Sequence, residues 1–392
     1  MLPVSGIPKT MRAVVYRGVD DLRLETVPVP RIGANELLVK VAVCGVCPTD
    51  IKKIHYGTVP PPRIFGHETA GTIVKTGARV RGFKVGDRVA LHHHVPCMKC
   101  HFCRHRAFAQ CATYKRTGIT AGFEPAGGGY AGYVRVMDFV LPGVVKIPAR
   151  NSFEEGAMLE PVNTVLKAVN RLNVLRGDAV LVAGQGPIGL MFTRLLKLRG
   201  VNVLATDLLE SRLKLAKKFG ARWVVNASSS GRKSAHYSGN ENQSRFTSAA
   251  TIKNLDAAII AVPSDDAVKQ AFQLVRGGGQ ILLFAHTRRA EAGSRKPEAG
   301  SPVSGIRRPS SGLCTLDLAS VCLDEKDLIG SYSSDFTIQS EVARLVFSRR
   351  LDVRPLISHR FSLAETARAV ALASRPSEDS LKIIVAADVS PL

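Results

Sequence analysis

Four cysteines lie in one short run, Cys97, Cys100, Cys103 and Cys111, with the spacing C-x2-C-x2-C-x7-C. Thiolates at this spacing can close a tetrahedral site of soft ligands, which is what a structural zinc requires. An iron–sulfur run would have a tighter spacing and a proline after its last cysteine, whereas Ala112 follows here. Disulfides are the other alternative, but bonds between thiols so near in sequence would be strained. We predict a zinc-binding lobe.

A second pair of metal-binding side chains lies upstream of this run. Cys47 belongs to the segment C-G-V-C-P-T-D at 44–50, and His67 belongs to F-G-H-E at 65–68. Both segments lie at the ends of predicted strands or on loops, where a scaffold can present ligands. A thiolate and an imidazole from separate loops can hold a zinc ion with an open coordination position, which a catalytic site needs.

The third chemical motif is a glycine-rich turn between a predicted strand at 178–183 and a predicted helix at 190–199. In this context the pattern G-x-G-x-x-G predicts a dinucleotide site, with the pyrophosphate at the helix N-terminus. Asp207 ends the next predicted strand, where its carboxylate can bind ribose hydroxyls and repel a 2′-phosphate, so the sequence favours NAD over NADP. The predicted cofactor loop contains Gly184, Gly186, Pro187, Ile188 and Gly189.

The elements that position these motifs differ between the two halves of the chain. Short β-branched strands separated by Gly, Pro and Asp are predicted at 11–16, 36–43, 69–75 and 87–91, which suggests an antiparallel, barrel-like domain. Alternating strands and helices follow from 178 to 348, as in a doubly wound parallel sheet. Two polar stretches without apolar periodicity, 228–253 and 287–312, are interpreted as surface insertions in this second domain.

In combination these motifs resemble the zinc-dependent medium-chain alcohol dehydrogenases. The resemblance rests on the segment around Cys47, on Gly66-His67-Glu68, on the strand G-F-K-V-G-D-R-V at 82–89 and on the cysteine run. It implies an α/β fold, with a Rossmann doubly wound parallel sheet domain at 164–334. The implied catalytic domain is mainly β, barrel-like (GroES-like) and zinc-binding, and it is formed by 1–163 and 335–392.

The resemblance also implies the catalytic zinc ligands, Cys47 and His67 with a third ligand near the domain junction. Glu160 occupies that place, and a carboxylate there is similar to the sorbitol/polyol and threonine dehydrogenase branch, whereas simple alcohol dehydrogenases use cysteine. By the same resemblance Glu68 would either ligate the zinc directly or exchange with water, as the carboxylate at this place does in that branch. The alternative interpretations are a helix-starting acid for Glu160 and a surface carboxylate for Glu68.

Further roles follow from the same resemblance. Thr49 would accept the substrate proton, and Asp50 would bind the second ring nitrogen of His67; the alternatives are a turn hydroxyl and a helix cap. Thr164 would contact the nicotinamide, and Arg212 would flank the ribose, unless it is a solvated cation. The outer proton-relay position, often His in relatives, is left to Lys52 or His55.

Composition limits the classes of protein to which the chain can belong. Its 392 residues exceed what one hydrophobic core usually organises, and 45% are hydrophobic, as in globular proteins. No apolar run is long enough to span a membrane and the start lacks a signal-peptide pattern, so a cytoplasmic location is the default. The net charge of +22 raises nucleic acid as a partner, but the cations are scattered and no recognition helix is visible.

The predicted function is hydride transfer from a secondary, polyol-like alcohol to NAD, giving a ketone. It requires two zinc ions per chain, one catalytic and one structural, and the relatives imply a homodimer or homotetramer. Two alternatives remain. One is a zinc-free enone or quinone reductase of the same superfamily, which would lack the Cys47, His67 and Glu160 set. The other is a non-enzymatic, basic zinc-lobe protein that binds nucleic acid.

Overall fold

A computed structural model describes residues 6–92, 95–117, 127–227, 253–285 and 316–387. The chain divides into two compact units, one formed by Met1–Lys167 with Ser333–Leu392 and the other by Ala168–Tyr332. The assignment of catalytic and cofactor-binding roles to domains at 1–163 with 335–392 and at 164–334 stays a prediction. Both predicted insertions lie outside the described residues, except for Lys253.

In the described residues the strands are β1 Thr10–Gly18, β2 Asp21–Pro28, β3 Leu37–Gly45, β4 Arg63–Ile64, β5 Glu68–Thr76, β6 Arg88–Leu91, β7 Tyr133–Val136, β8 Val145–Lys146, β9 Ala179–Ala183, β10 Asn202–Asp207, β11 Trp223–Asn226, β12 Leu255–Ile260, β13 Val275–Leu283, β14 Asp327–Gly330, β15 Ile357–Ser362 and β16 Lys382–Ala386. The helices are α1 Pro48–Tyr56, α2 His101–Arg104, α3 Ala112–Thr117, α4 Phe153–Ala157, α5 Leu159–Val169, α6 Pro187–Leu198, α7 Glu210–Phe219, α8 Asp265–Leu274, α9 Leu318–Leu323, α10 Gln339–Phe347 and α11 Thr366–Ser374.

The first unit is built on two sheets. A seven-stranded sheet has the order β15-β16-β3-β5-β6-β8, with β7 also paired to β3, and a three-stranded sheet has the order β2-β1-β4. Backbone hydrogen bonds from Val14 to Tyr130 and from Val41 to Gly132 tie the two sheets to the same returning segment. This arrangement confirms the mainly β domain that the short strands predicted.

Two elements near the predicted metal site were missed by the sequence reasoning. Strand β2 forms a hairpin with β1, and helix α1 begins directly after Cys47. Pro48 stands in the first turn of α1, where its missing N–H leaves no helical hydrogen bond unmade, and Gly57 ends the helix with a φ of 60°. The segment 48–56 therefore has ordinary helix start and stop signals, which the metal motif within it obscured.

The tail of the chain belongs to the first unit, and one of its strand pairings differs from the antiparallel expectation. Strand β16 runs antiparallel to β3, but β15 and β16 are parallel to each other. Helix α11 lies between them in sequence. Because a helical crossover brings the chain back to the same edge before the next strand starts, the two strands point in one direction.

The second unit has a single six-stranded sheet with the order β11-β10-β9-β12-β13-β14, and every pairing in it is parallel. This confirms the doubly wound class, and the order reverses between β9 and β12, where such folds place their ligands. The sheet interior is apolar, with Val180, Val182 and Ile259 fully buried. Strand β13 begins at Val275 and includes Gly278, which has a φ of 65°, and the pairing of β13 with β12 shifts register between Leu255 and Ala257.

In the part of the chain that the structure describes, no helix has the length and apolar character needed to cross a membrane.

Candidate functional site

Strand pairing brings the two halves of the upstream metal motif together. Strands β3 and β5 pair antiparallel, with Gly45 opposite Glu68. Cys47 follows the end of β3 and is the N-cap of α1, where its sulfur accepts a hydrogen bond from the Thr49 amide at 3.5 Å. His67 stands just before β5, so the ligands separated by twenty residues in sequence lie at one end of the same strand pair.

The geometry of this group is that of a metal site. The ligand atoms of Cys47, His67 and Glu68 all lie within 4.8 Å of one another. His67 and Glu68 are 5% and 2% exposed, so the interpretation of Glu68 as a surface carboxylate is wrong. A thiolate, an imidazole and a carboxylate are the donors that zinc accepts in proteins.

Asp50 orients His67, as the family resemblance implied. Its Oδ2 lies 3.0 Å from His67 Nδ1 and accepts a hydrogen bond from the Gly66 amide at 3.1 Å. Burial alone would lower the pKa of His67, but Asp50 and the Cys47 sulfur raise it well above its usual value. Burial likewise raises the pKa of Asp50, yet His67 keeps it below the ordinary value. With Nδ1 directed at Asp50, the other ring nitrogen is the one available to a metal.

Glu160 is the second residue of α5 and is 5% exposed. It starts a helix, as the alternative interpretation held. Its pKa is raised to about 7, mainly by burial; the charges of His67 and Lys382 lower this pKa, and those of Glu68 and Asp50 raise it. Those neighbours show that Glu160 faces the buried charges of the same site. It lies outside the group of ligand atoms that share the 4.8 Å limit, and its role as a ligand stays a prediction.

Sequence reasoning missed Lys382, which is 6% exposed at the start of β16. Its ammonium forms an ion pair with Glu68 and donates to the Val46 carbonyl at 2.9 Å. Burial would lower its pKa, but Glu68 and Cys47 raise it. A lone lysine in the apolar run 381–385 was the signal that could have found it, since an unpaired cation is almost never buried.

The donor set fits a divalent cation. Three buried carboxylates, Asp50, Glu68 and Glu160, meet the imidazole of His67 and the ammonium of Lys382. The Cys47 thiolate adds a further anion when it binds a metal. Because buried charges are stable only when compensated, this excess of anions favours a bound cation such as zinc.

The downstream cysteines also converge. The sulfur atoms of Cys97, Cys100, Cys103 and Cys111 lie within 4.8 Å of one another, and none of these residues forms a disulfide. The Cys97 amide donates to the Cys111 sulfur at 3.4 Å. Burial raises the pKa of Cys111, but this amide and that of Tyr114 bring it down to about 6, which favours the thiolate that zinc binds. The zinc prediction fits, and the disulfide alternative is wrong for the described cysteines.

The glycine-rich turn in the second unit has the conformation that the motif predicts. Gly184 has a φ of 91°, a region that favours glycine, and it follows β9 directly. Gly186 caps α6 with open space where a Cβ would stand, and a Cβ on Gly189 would lie 1.8 Å from the Gly184 carbonyl oxygen. Pro187 and Ile188 begin α6, so the unpaired amides of its first turn are available to a phosphate.

Asp207 ends β10 beside this turn and is 8% exposed. It accepts hydrogen bonds from the amides of Gln185 at 2.6 Å and Leu209 at 3.0 Å, which fix its carboxylate. Arg212 Nη1 lies 3.9 Å from Asp207 Oδ2, so it is not simply a solvated cation. Thr164, in the first unit, donates its hydroxyl to the Pro161 carbonyl at 2.8 Å. The cofactor roles of these residues stay predictions.

The two candidates for the outer proton relay lie in different surroundings. His55 contacts Asp20 through Nδ1 and the Ser374 hydroxyl, 2.8 Å from Nε2. Lys52 is half-buried, and although burial lowers its pKa, the Cys47 sulfur acts against that change. Lys52 therefore lies within electrostatic reach of the metal ligands, whereas His55 connects α1 to the turn between β1 and β2 and to α11. Thr49, in the first turn of α1, lies beside Cys47.

Two family models match the chain. The alcohol dehydrogenase GroES-like domain matches residues 33–149 and the zinc-binding dehydrogenase model matches 187–346. The described ligand cluster and the four-cysteine lobe lie within the first match or beside it, and the glycine-rich turn lies at the start of the second.

Similar proteins extend along nearly the whole chain. Sorbitol dehydrogenase from Bacillus subtilis is 28% identical over 97% of this chain and 98% of its own, and that from Bombyx mori is 29% identical over 95% and 97%. A structure from Sinorhizobium meliloti, named as a putative zinc-binding dehydrogenase bound to NADP, has a TM-score of 0.78 and 25% identity, covering 97% of this chain and all of that one. The chain belongs to the zinc-dependent medium-chain alcohol dehydrogenases, whose cofactors are zinc and NAD(P).

Proposed function

We propose that the protein oxidises a secondary alcohol of a polyol-like substrate to a ketone, with NAD as the hydride acceptor. The observation that carries the proposal is the buried cluster of Cys47, His67 and Glu68, with Glu160 facing it. A carboxylate rather than a cysteine at position 160 fits the polyol branch. The similarity to sorbitol dehydrogenases along nearly the full chain supports the same substrate class.

The roles of the site residues follow from their places. Cys47, His67 and Glu160 would hold zinc, which would supply a Lewis acid that lowers the pKa of a substrate hydroxyl. Asp50 keeps His67 in the tautomer that presents its free nitrogen, and Thr49 accepts the hydroxyl proton. With NAD bound, the carbinol carbon would give a hydride to the cofactor and the hydroxyl proton would leave to solvent, so the products would be a ketone, NADH and one proton.

The cofactor site uses the glycine-rich turn for the pyrophosphate and Asp207 for the adenosine ribose. Asp207 supports NAD because a 2′-phosphate would meet its fixed carboxylate. Arg212 reduces this preference, since a guanidinium 3.9 Å from the carboxylate could also pair with a phosphate. We therefore expect NADP to be used more weakly than NAD.

Two coarser properties are proposed with the function. A homodimer or homotetramer is expected from the family, and light scattering after size-exclusion chromatography would measure it. A cytoplasmic location is supported by the cysteines, since the seven in the described residues form no disulfide, as is usual in a reducing compartment.

A substrate screen tests the proposal. Polyols, threonine and simple secondary alcohols would be supplied with NAD or NADP, and NADH formation would be followed at about 340 nm, where reduced nicotinamide absorbs. We expect turnover on a polyol or vicinal diol, with kcat/KM higher for NAD. The Cys47→Ala variant should bind NADH as the wild type does but show no turnover. Full activity in that variant, or in protein stripped of zinc, contradicts the zinc mechanism.

The same experiment separates the two alternatives. A zinc-free reductase would reduce an enone or quinone at a rate unaffected by Cys47→Ala. A nucleic-acid-binding protein would oxidise none of the alcohols and would shift DNA in a salt-dependent manner.

A further inference from the structure

The ion pair between Lys382 and Glu68 places a second, competing partner beside a candidate metal ligand. Glu68 has a ligand oxygen within 4.8 Å of those of Cys47 and His67, and it also contacts the Lys382 ammonium. Both side chains are buried, at 2% and 6% exposure, so neither charge is screened by water. The carboxylate can thus be satisfied in two ways, by the ammonium or by a metal ion.

Lys382 is held in place by more than this carboxylate. Its ammonium donates to the Val46 carbonyl at 2.9 Å, one residue before Cys47. Strand β16 pairs with β3, with Ile384 opposite Gly45, so the lysine is fixed to the strand that ends at the thiolate ligand. The position of the cation is therefore built into the sheet rather than set by Glu68 alone.

Gly45 provides the space in which the pair forms. A Cβ at this position would lie 1.9 Å from Glu68 Oε2 and 2.9 Å from Lys382 Cε. Because Gly45 lies opposite Glu68 in the register of β3 and β5, any larger residue would push the carboxylate away from the ammonium.

Charge balance shows what the lysine does. Zinc with the Cys47 thiolate and the Glu160 carboxylate is neutral, and Glu68 with Lys382 is neutral as well. The remaining carboxylate, Asp50, is stabilised by His67 Nδ1 and the Gly66 amide. Without the ammonium, Glu68 would be an uncompensated buried anion next to a divalent cation, and it would be drawn to the metal. A fourth protein ligand would close the coordination position that a substrate oxygen needs.

We infer that Lys382 is a positioning residue that holds Glu68 away from the metal and so keeps the site open to substrate. The inference rests on the proposed function, because it requires zinc at Cys47, His67 and Glu160. Glu68 is then a carboxylate that can bind the metal, and its ion pair with Lys382 determines whether it does so.

Zinc release tests this inference without relying on activity. Holoenzyme would be mixed with a chromogenic chelator in excess, and zinc loss followed by absorbance; the trace of Cys47→Ala, which keeps only the lobe zinc, would be subtracted. Loss of an outer-shell partner ordinarily lowers metal affinity by about 10- to 100-fold. The inference predicts a change of similar size and opposite sign, because the freed Glu68 carboxylate would add a fourth protein ligand. We expect Lys382→Met to release the site zinc more slowly by about that factor, and Lys382→Arg to resemble the wild type.

A double-mutant cycle shows whether Lys382 acts through Glu68. Glu68→Gln alone should change release by less than about twofold, since the carboxylate is off the metal in the wild type, and Lys382→Met added to it should have no further effect. An equal effect of Lys382→Met in both backgrounds would mean direct repulsion between ammonium and zinc, and faster release would mean a structural role. Either result overturns the inference.

A second variant and a measurement of zinc content cover the remaining outcomes of this test. Should Lys382→Met fail to fold, Lys382→Gln removes the charge with a polar side chain and is measured in the same cycle. Failure of the proposed function looks different, because the wild type and Cys47→Ala would then contain the same amount of zinc before any chelator is added.

Discussion

The pairing of Asp50 with His67 makes the sharpest prediction about the metal site. Asp50→Asn removes one charge and little else, since Oδ2 alone contacts both His67 Nδ1 and the Gly66 amide. An asparagine oxygen in that place can accept both contacts. The variant therefore separates the charge of Asp50 from its hydrogen bonds.

The expected magnitude follows from the distance. Asp50 Oδ2 lies 3.0 Å from Nδ1 of an imidazole that is neutral when it binds zinc, so the interaction at stake is a hydrogen bond to a charged carboxylate, about 1.5 to 3 kcal/mol. The retained hydrogen bonds reduce this, and loss of such a partner usually weakens metal binding by about 10- to 100-fold. We expect a zinc dissociation constant raised by that factor, or about 1.4 to 2.8 kcal/mol.

The assay is a competition between the protein and a chelator of known zinc affinity, read as zinc retained per chain. Asp87→Asn is the matched control, because it removes an acid of the same unit that pairs with Lys146 and contacts none of the ligands. If Asp50→Asn holds zinc as tightly as that control, the charge of Asp50 does not support His67 and the reasoning fails.

Three other predictions concern the cofactor turn, the lobe and the first unit. Gly189→Ala should abolish NADH binding in a fluorescence titration, because its Cβ would lie 1.8 Å from the Gly184 carbonyl oxygen. Cys103→Ser should lower zinc content by one ion per chain and lower the Tm, since a structural zinc contributes to folding. Glu36→Gln should lower the free energy of unfolding at neutral pH by about 2 to 3 kcal/mol, because Arg135 donates to both carboxylate oxygens at 2.6 and 2.8 Å.

The stabilising contribution of Glu36 is also expected to depend on pH. Burial raises the pKa of Glu36, but Arg135 and the Gly33 amide lower it below the ordinary value. Its contribution to stability is therefore complete above the unfolded-state pKa and is lost as pH falls through the lower folded-state value. In urea unfolding at several pH values, the gap between wild type and Glu36→Gln should shrink in that acidic window.

Each of these predictions has an outcome that contradicts it. Glu25→Gln is the control for Glu36, because Arg17 binds Glu25 with the same two-point geometry at an exposed position, where such pairs contribute at most about 1 kcal/mol. Equal losses of unfolding free energy in both variants would mean that burial does not strengthen the pair of Glu36 and Arg135. Unchanged NADH affinity in Gly189→Ala would contradict the assignment of the glycine-rich turn to the cofactor. Two zinc ions retained in Cys103→Ser would contradict the zinc site in the lobe.

Much of this molecule could be predicted from local sequence. The four-cysteine lobe, the turn at Gly184–Gly189 and Asp207 were predicted from spacing alone, because each depends on residues close in the chain and on backbone conformations that glycine permits. The parallel sheet followed from the alternation of apolar strands and helices. Burial of Glu68 and the pairing of Asp50 with His67 agree with what the family resemblance implied.

The three-dimensional structure decided the rest. Lys382 and Glu68 are more than three hundred residues apart, and they meet because β16 and β5 both pair with β3, a contact that no local pattern encodes. The same register places Gly45 where the carboxylate needs room. The sequence by itself determined which residues could bind zinc and NAD. Only the tertiary structure decided which buried charges share the metal site, since the compensation of a buried charge depends on its neighbours in space.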